Sequence, residues 1–256
     1  MPWPERVVRA SAWTVFMLLL VLSIVSVART TQLDFVLSAH EAAHDLLIRM
    51  WPPHWASWGV LMRPLWDTIN IATWGTALAI VIGGLLGFLA ARNTSPHPMI
   101  RACALFVIAA TRSINSVIWA LIFSRLLGPG VLAGVLAIGM RSIGFIGKLL
   151  YEAIEEIDPN PVEALASTGA KGSQIFVYGI LPQVQPSWTG ISLFRWEINV
   201  RESAVVGLVG AGGIGMQLDA AAEALRWDIA AVIMLMILGL VIFAETVAAK
   251  VRERIL

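Results

Sequence analysis

Long apolar runs alternate with short polar interludes along this chain. An apolar run of about 20 residues crosses a bilayer as a helix, and the pattern predicts spans over residues 10–28, 67–91, 102–127, 131–154, 181–209 and 228–249. Basic residues collect in alternate interludes: Arg6 and Arg9 before the first run, Arg92 and Arg101 around the next inner turn, Lys148 and Lys171 about a long interlude, and Lys250, Arg252 and Arg254 at the end. Lys and Arg mark the cytoplasmic side, so both termini are expected inside. Gly128-Pro129-Gly130 reads as an external turn. Gly75, Gly83, Gly84 and Gly87 allow the second span to approach a neighbour closely. Residues 29–66 differ from the rest. Leu33, Val36, Leu37, Ala43, Leu47 and Ile48 recur at helical spacing, with Asp34, Glu41 and Asp45 between them. That predicts an external amphipathic helix on the membrane or against the spans. Trp51, Trp55, Trp58 and Trp66 suit the lipid–water boundary.

The expected fold is all-α: a polytopic membrane protein of six transmembrane helices. It divides into an N-terminal span (1–28), the external segment (29–66) and a membrane domain (67–256) whose longest inner interlude covers 155–182. Composition agrees: 58% of the 256 residues are hydrophobic and 14% charged, against about 25% charged in soluble domains. A net charge of +1 points to no partner, and nucleic acid is not expected. Cys103 is the single cysteine and has no internal disulfide partner. The first run lacks a small-residue cleavage site followed by polar context, so it reads as a retained span.

Charges inside spans are costly and face an interior path or a partner. Arg112 lies in the third run with Ser113, Asn115 and Ser116, Arg141 lies in the fourth, and Arg195, Glu197, Arg201 and Glu202 lie in the fifth. Glu197 and Arg201 are four apart and are expected to pair on one helix face, which leaves Arg195 and Glu202 without local partners. Four arginines against two glutamates give a positive excess that suits an anionic solute. Arg112, Asn115, Arg195, Glu197 and Arg201 are the candidate path residues; ion pairing between helices would account for the same charges structurally.

The interlude 155–182 has explicit local grammar. Asn160 before Pro161 predicts a capped helix start, with Glu163 three residues on, near the positive helix end. Gly169 predicts a left-handed stop. Ser173 is expected to cap a second short helix ending at Leu181-Pro182. Glu163-Ala164, Gly169 and Leu181-Pro182 at these spacings resemble the EAA coupling loop of ABC importer permeases, with Leu165 in the third alanine slot and Gly179 in the isoleucine slot. The resemblance implies that Glu163, Ala164, Gly169 and Lys171 engage a partner ATPase.

A second stretch narrows the family. Asn199-Val200-Arg201-Glu202-Ser203, followed by Val205 to Gly215, closely resembles permeases of phosphonate importers. Ala90-Ala91-Arg92-Asn93 and Gly147-Lys148-Leu149 are similar too, and the match covers most of residues 65–250. Asn115 replaces a proline that the family has after its third-span arginine. The resemblance implies a homodimer in the plasma membrane, two ATP-binding subunits on the cytoplasmic face and an external solute-binding protein. The chain has no G-x-x-x-x-G-K-[ST] loop, so no cofactor is expected in it, and ATP and Mg would be held by the partner. The implied cargo is a phosphonate, phosphite or phosphate; a permease for an amino acid such as methionine is the alternative.

Two motifs point elsewhere. His40-Glu41-Ala42-Ala43-His44 matches the zinc-protease pattern, but Leu47 replaces the glycine of its longer form and no strong third ligand is at hand. Gly210-Ala211-Gly212-Gly213-Ile214-Gly215 spells a dinucleotide fingerprint, yet it follows an apolar span rather than a strand. Gly207, Gly210, Gly212, Gly213 and Gly215 are instead expected to form a tight external gate loop.

Overall fold

The structure, a computed structural model, describes residues 3–30 and 33–255, with side chains for 8–29 and 38–254. Of the residues behind the N-terminal expectations, the side chains of Arg6, Leu33, Asp34, Val36 and Leu37 lie outside the described residues. The described residues are helical almost throughout and contain no strand. They form two compact units, Met1–Trp51 and Pro52–Leu256.

The first unit holds α1 (Trp3–Thr30) and α2 (Leu33–Met50). Within α1, Val8–Arg29 is long and apolar enough to cross a membrane. His40, Glu41 and His44 lie exposed on α2, and Asp45 pairs with Arg49 one turn on, at 2.8 Å. Among the described residues, no three His, Cys, Asp or Glu side chains converge to hold a metal.

The second unit is built around one helix. A short 3₁₀ turn (Trp55–Ser57) leads into α3 (Trp58–Ala90), followed by α4 (Pro98–Ser113), α5 (Ser116–Leu127) and α6 (Val131–Glu155). Then come α7 (Pro159–Ser167), α8 (Gly172–Ile175), a π turn (Phe176–Ile180), α9 (Leu181–Gly207), α10 (Gly213–Glu223) and α11 (Trp227–Ile255). Helix α6 packs against α3, α4, α5 and α9. Small residues make this possible, because with lipid outside, helices associate through close packing rather than the hydrophobic effect. A Cβ on Gly83 would stand 2.9 Å from the Ile143 carbonyl oxygen, and one on Gly144 2.6 Å from that of Ile108. At Gly75, Gly84 and Gly87 it would meet Ile138, Trp188 and Leu150 at 2.8, 2.7 and 3.0 Å. All four glycines of the second run thus sit at close contacts.

The third run is not one straight helix. Helices α4 and α5 meet at 90°. Ile114 and Asn115 are extended there, and the Asn115 side chain accepts from Val117 N at 3.1 Å, capping α5. The apolar pattern hides this break because both halves are apolar. Among the described residues, four helices (within α1, α3, α6 and α11) are long and apolar enough to span, or five if the bent α4–α5 pair counts as one span. Helix α9, with its four central charges, is not among them. The glycine loop also leads into α10, a helix the pattern did not predict.

Candidate functional site

Segment 155–182 forms two short helices about Gly169, as its grammar suggested, but with other caps. The Asp158 carboxylate accepts from Asn160 N at 2.9 Å and from Asn160 Nδ2 at 2.7 Å. Helix α7 therefore starts at Pro159, not Pro161: the Asn160 side chain is bound to Asp158 and cannot cap. Both Asp158-Pro159 and Asn160-Pro161 satisfy the local rule, and the carboxylate is occupied first along the chain. Gly169 ends α7 at φ +77°, where other residues are strained. The Ala170 N–H donates back to Leu165 O at 3.3 Å.

Lys171, not Ser173, precedes the next helix, and its N–H donates to Gln174 Oε1 at 2.8 Å. This helix does not stop at Pro182. It runs through the π turn into α9, with Leu181 N bonded to Phe176 O. The widened turn accommodates Pro182, which has no N–H to give. The exposed side of α7 carries Glu163, Ala164, Ala166 and Ser167, while Val162 and Leu165 turn inward. A Cβ on Gly179 would lie 3.1 Å from Leu165 Cδ1, so the departure from isoleucine at this slot brings α7 close to the π turn.

Sequence reasoning missed Gln183. Its side-chain amide pairs with the Asp158 backbone in both directions: Oε1 accepts from Asp158 N at 3.1 Å and Nε2 donates to Asp158 O at 3.3 Å. Nε2 also donates to Gly179 O at 2.7 Å. A long-range side-chain tie of this kind has no local sequence signal.

The second cluster lies between α3, α6 and α9. Arg195 is buried, donating from Nε to Ser142 Oγ at 2.9 Å and from Nη2 to Glu202 Oε2 at 3.2 Å. Its guanidinium also lies over the Phe145 ring, 5.0 Å from the centroid. Glu202 accepts a second arginine, Arg141 Nη1, at 2.7 Å. The Ser142 hydroxyl donates to Asn199 Oδ1 at 3.1 Å, and Asn199 Nδ2 donates to Thr76 Oγ1 at 2.7 Å. The chain of bonds satisfies every polar side chain in it, as burial requires. Arg195 and Glu202 are thus partners seven residues apart on one face of α9.

The expected Glu197–Arg201 pair does not form. Arg201 Nη2 pairs with Glu245 Oε1 at 2.7 Å, and Glu197 Oε2 lies 3.8 Å from Arg252 Nη2. Both partners lie on α11, so these charges join two helices rather than two turns of one. Arg112 is exposed and joins none of the ion pairs among the described residues. Its backbone runs beside α6: a Cβ on Gly144 would be 2.8 Å from Arg112 N. Across the same break, Arg141 Nη1 lies 3.5 Å from Ser116 Oγ.

The glycine loop is a packed joint. Gly212 and Gly213 have φ of +80° and +72° and are buried with Ala211 and Ile214. Gly130 N donates to Gly210 O at 3.1 Å, and Ile214 N donates to Thr68 Oγ1 at 2.8 Å. A Cβ on Gly207 would stand 2.8 Å from Gly215 Cα, so α9 and α10 touch backbone to backbone. Helix α9, not a strand, precedes the loop, which removes the dinucleotide reading.

Comparisons with known proteins agree with this architecture. The chain is 40% identical over 202 residues to the phosphite transport system permease protein PtxC of Stutzerimonas stutzeri, covering 79% of this chain and 74% of that one. It is 40% identical over 228 residues to the phosphate-import permease protein PhnE of Mycolicibacterium smegmatis, covering 88% of this chain but 43% of that longer protein. A solved inward-facing MetNI methionine ABC transporter superposes with a TM-score of 0.67 at 20% identity, over 78% of this chain and 98% of that one. At that identity the likeness concerns the fold. Residues 83–255 match the family described as the inner membrane component of binding-protein-dependent transport systems. The chain belongs to this family and is the permease subunit of an ABC importer, a multi-pass protein of the plasma membrane.

Proposed function

We propose that this permease carries a phosphorus oxyanion, either a phosphonate, phosphite or phosphate, inward as a homodimer with two ATPase subunits and an external binding protein. Helix α9 serves as a span despite its charges, because each of them is paired; with α4–α5 as one bent span this gives six, with both termini inside. The α7 face bearing Glu163 and Ala164, ended by Gly169 and followed by Lys171, docks on the ATPase. The ATPase hydrolyses ATP, and this chain converts its motion into alternating access, which requires contacts that differ between two states.

The observation that carries the cargo reading is the charge left over after pairing. Glu197 and Arg201 are neutralised by Arg252 and Glu245, whereas Arg141 and Arg195 share one carboxylate and Arg112 has none among the described residues. A lone cation at mid-membrane costs about 2.5–3.5 kcal/mol on insertion scales. Arg112 is tolerable where water and an anion reach it. The break between α4 and α5 brings Arg112, Asn115 and Arg141 to one stretch of α6, and we place the path there. Arg195, Glu197 and Arg201 then fix helix packing, and the buried glycine joint sets the backbone geometry at the other end of α9. The names of PtxC and PhnE, each matched over most of the chain, support the same cargo class.

Methionine is the second reading, favoured by the fold likeness to MetNI. Two relatives with methionine in their names, from Bacillus subtilis and Pasteurella multocida, are 33% and 30% identical over 35% and 62% of the chain, less than PtxC or PhnE in both respects. Uptake into proteoliposomes holding the permease, ATPase and binding protein tests both readings. ATP-dependent uptake of methylphosphonate, phosphite or phosphate, lowered in Arg112→Ala, is expected. Uptake of methionine instead would overturn the oxyanion reading.

A further inference from the structure

Helix α7 is weakly held for a part that must transmit force. Its inward side offers Val162 and Leu165 to the π turn at Gly179, and most of its surface is exposed. Beneath its N-terminal end lies a cavity of about 330 Å³ lined by Asn93, Glu155, Ile157, Pro159, Val162 and Ile180. Val162 packs on the buried cluster that includes Ile154, Ile180 and Val184, but apolar contacts are non-directional and do not fix the orientation of α7. Among the described residues, the side-chain hydrogen bonds from α9 to this end of α7 come from one amide. Gln183 holds the Asp158 backbone through both its N–H and its C=O, and the Asp158 side chain in turn caps α7. The same Nε2 is bonded to Gly179 O, so Gln183 is itself locked in orientation.

Gln183 belongs to the first turn of α9, and α9 continues to Arg195, Asn199 and Glu202 of the buried network. At 1.5 Å rise per residue, Gln183 and Arg195 are about 18 Å apart along one helix. A displacement of Asp158 is therefore passed into a rod whose far half carries the interior charge cluster. A leucine there would fill similar space but leave the rod and α7 joined through the connecting chain and through apolar contacts, at Gly179 and around Val162.

We infer that Gln183 is a positioning residue for energy coupling: its amide clamp on Asp158 makes α7 and α9 move as one body. The inference rests on the reading of α7 as the ATPase-docking helix and does not depend on the cargo. The test uses the whole complex in proteoliposomes, comparing wild type, Gln183→Leu and Gln183→Glu. Three quantities are read: ATPase retained with the permease on purification, ATP hydrolysis, and phosphite or methionine, whichever the wild type carries, taken up per ATP.

Gln183→Leu is expected to keep the ATPase bound and hydrolysing, while uptake per ATP falls by about tenfold, within the range by which coupled sites influence each other. Gln183→Glu retains an acceptor for Asp158 N–H but loses both donors, so an intermediate fall is expected. It also carries the test if Gln183→Leu fails to fold. Unchanged uptake per ATP in the variants overturns the inference. Loss of the bound ATPase also overturns it, since Gln183 would then only keep the docking helix folded. A wild-type complex with no ATP-driven uptake would instead remove the transport reading, and the inference with it.

Discussion

The α6-centred interior and the 155–182 segment are built on opposite principles. Around α6 the backbones approach so closely that Gly83 and Gly144 have no room for a methyl group. The polar side chains there, from Thr76 through Asn199 and Ser142 to Arg195, Glu202 and Arg141, form one bonded chain. Segment 155–182 has short helices, exposed surfaces, a cavity below and few ties. The first arrangement resists deformation because close-packed interiors have no slack. The second can change its contacts at low cost, as moving elements do. The difference suggests a stiff frame with a lever attached at Gln183.

The comparison breaks first in the frame. Gly144→Val should have the largest effect, because its new atoms would have to displace the Ile108 backbone rather than a flexible side chain. Loss of folded protein in detergent, followed by size-exclusion yield, is expected. Arg195→Met comes next. Removing one member of a buried ion pair costs about 3–5 kcal/mol. Arg141 remains to satisfy Glu202, so the lower end of that range is expected, seen as a reduced Tm. The double variant Arg195→Met/Glu202→Gln should be harsher than Arg195→Met alone, because it also takes the carboxylate away from Arg141 and leaves that cation unmatched. A Tm for Arg195→Met equal to wild type would mean that the network is not part of the frame.

The frame was the more legible region in the sequence, though incompletely so. Gly75, Gly83, Gly84 and Gly87 announced close packing because a glycine in an apolar helix has few other uses. The stop at Gly169 was legible for a local reason too, since a left-handed residue leaves its mark at its own position. What failed was anything decided at long range. Glu197 and Arg201 have ideal spacing to pair with each other, yet Arg252 and Glu245 on α11 take them, and nothing within α9 signals that. The 90° break at Ile114-Asn115 is invisible to an apolar pattern that continues on both sides. The choice of Asp158 over Asn160 as cap turned on two equally good local solutions, and Gln183 on a contact to a residue 25 positions away.

Smaller effects sharpen the lever side. Asp158→Ala removes the cap of α7, worth about 1 kcal/mol. Because α7 is peripheral, the loss should appear as faster amide exchange over residues 159–167 with little change in Tm. Exchange that spreads into α9 would show that lever and frame unfold together, against the division drawn here.

Glu163→Lys should have the smallest effect on stability and yet remove function. Glu163 is exposed near the middle of α7 and takes part in none of the ion pairs among the described residues, so nothing inside the chain is lost with it. Its charge is also beyond the first turn, where the helix dipole would reward it. A Tm within a degree or so of wild type follows from the usual size of surface substitutions. If the exposed α7 face docks on the ATPase, reversing that charge at the contact should abolish ATP-driven uptake and ATPase retention while the permease stays folded. Preserved uptake would move the docking surface off this face. A large fall in Tm would be equally informative, because it would mean that Glu163 belongs to the frame and that α7 is not the loosely held element its contacts describe.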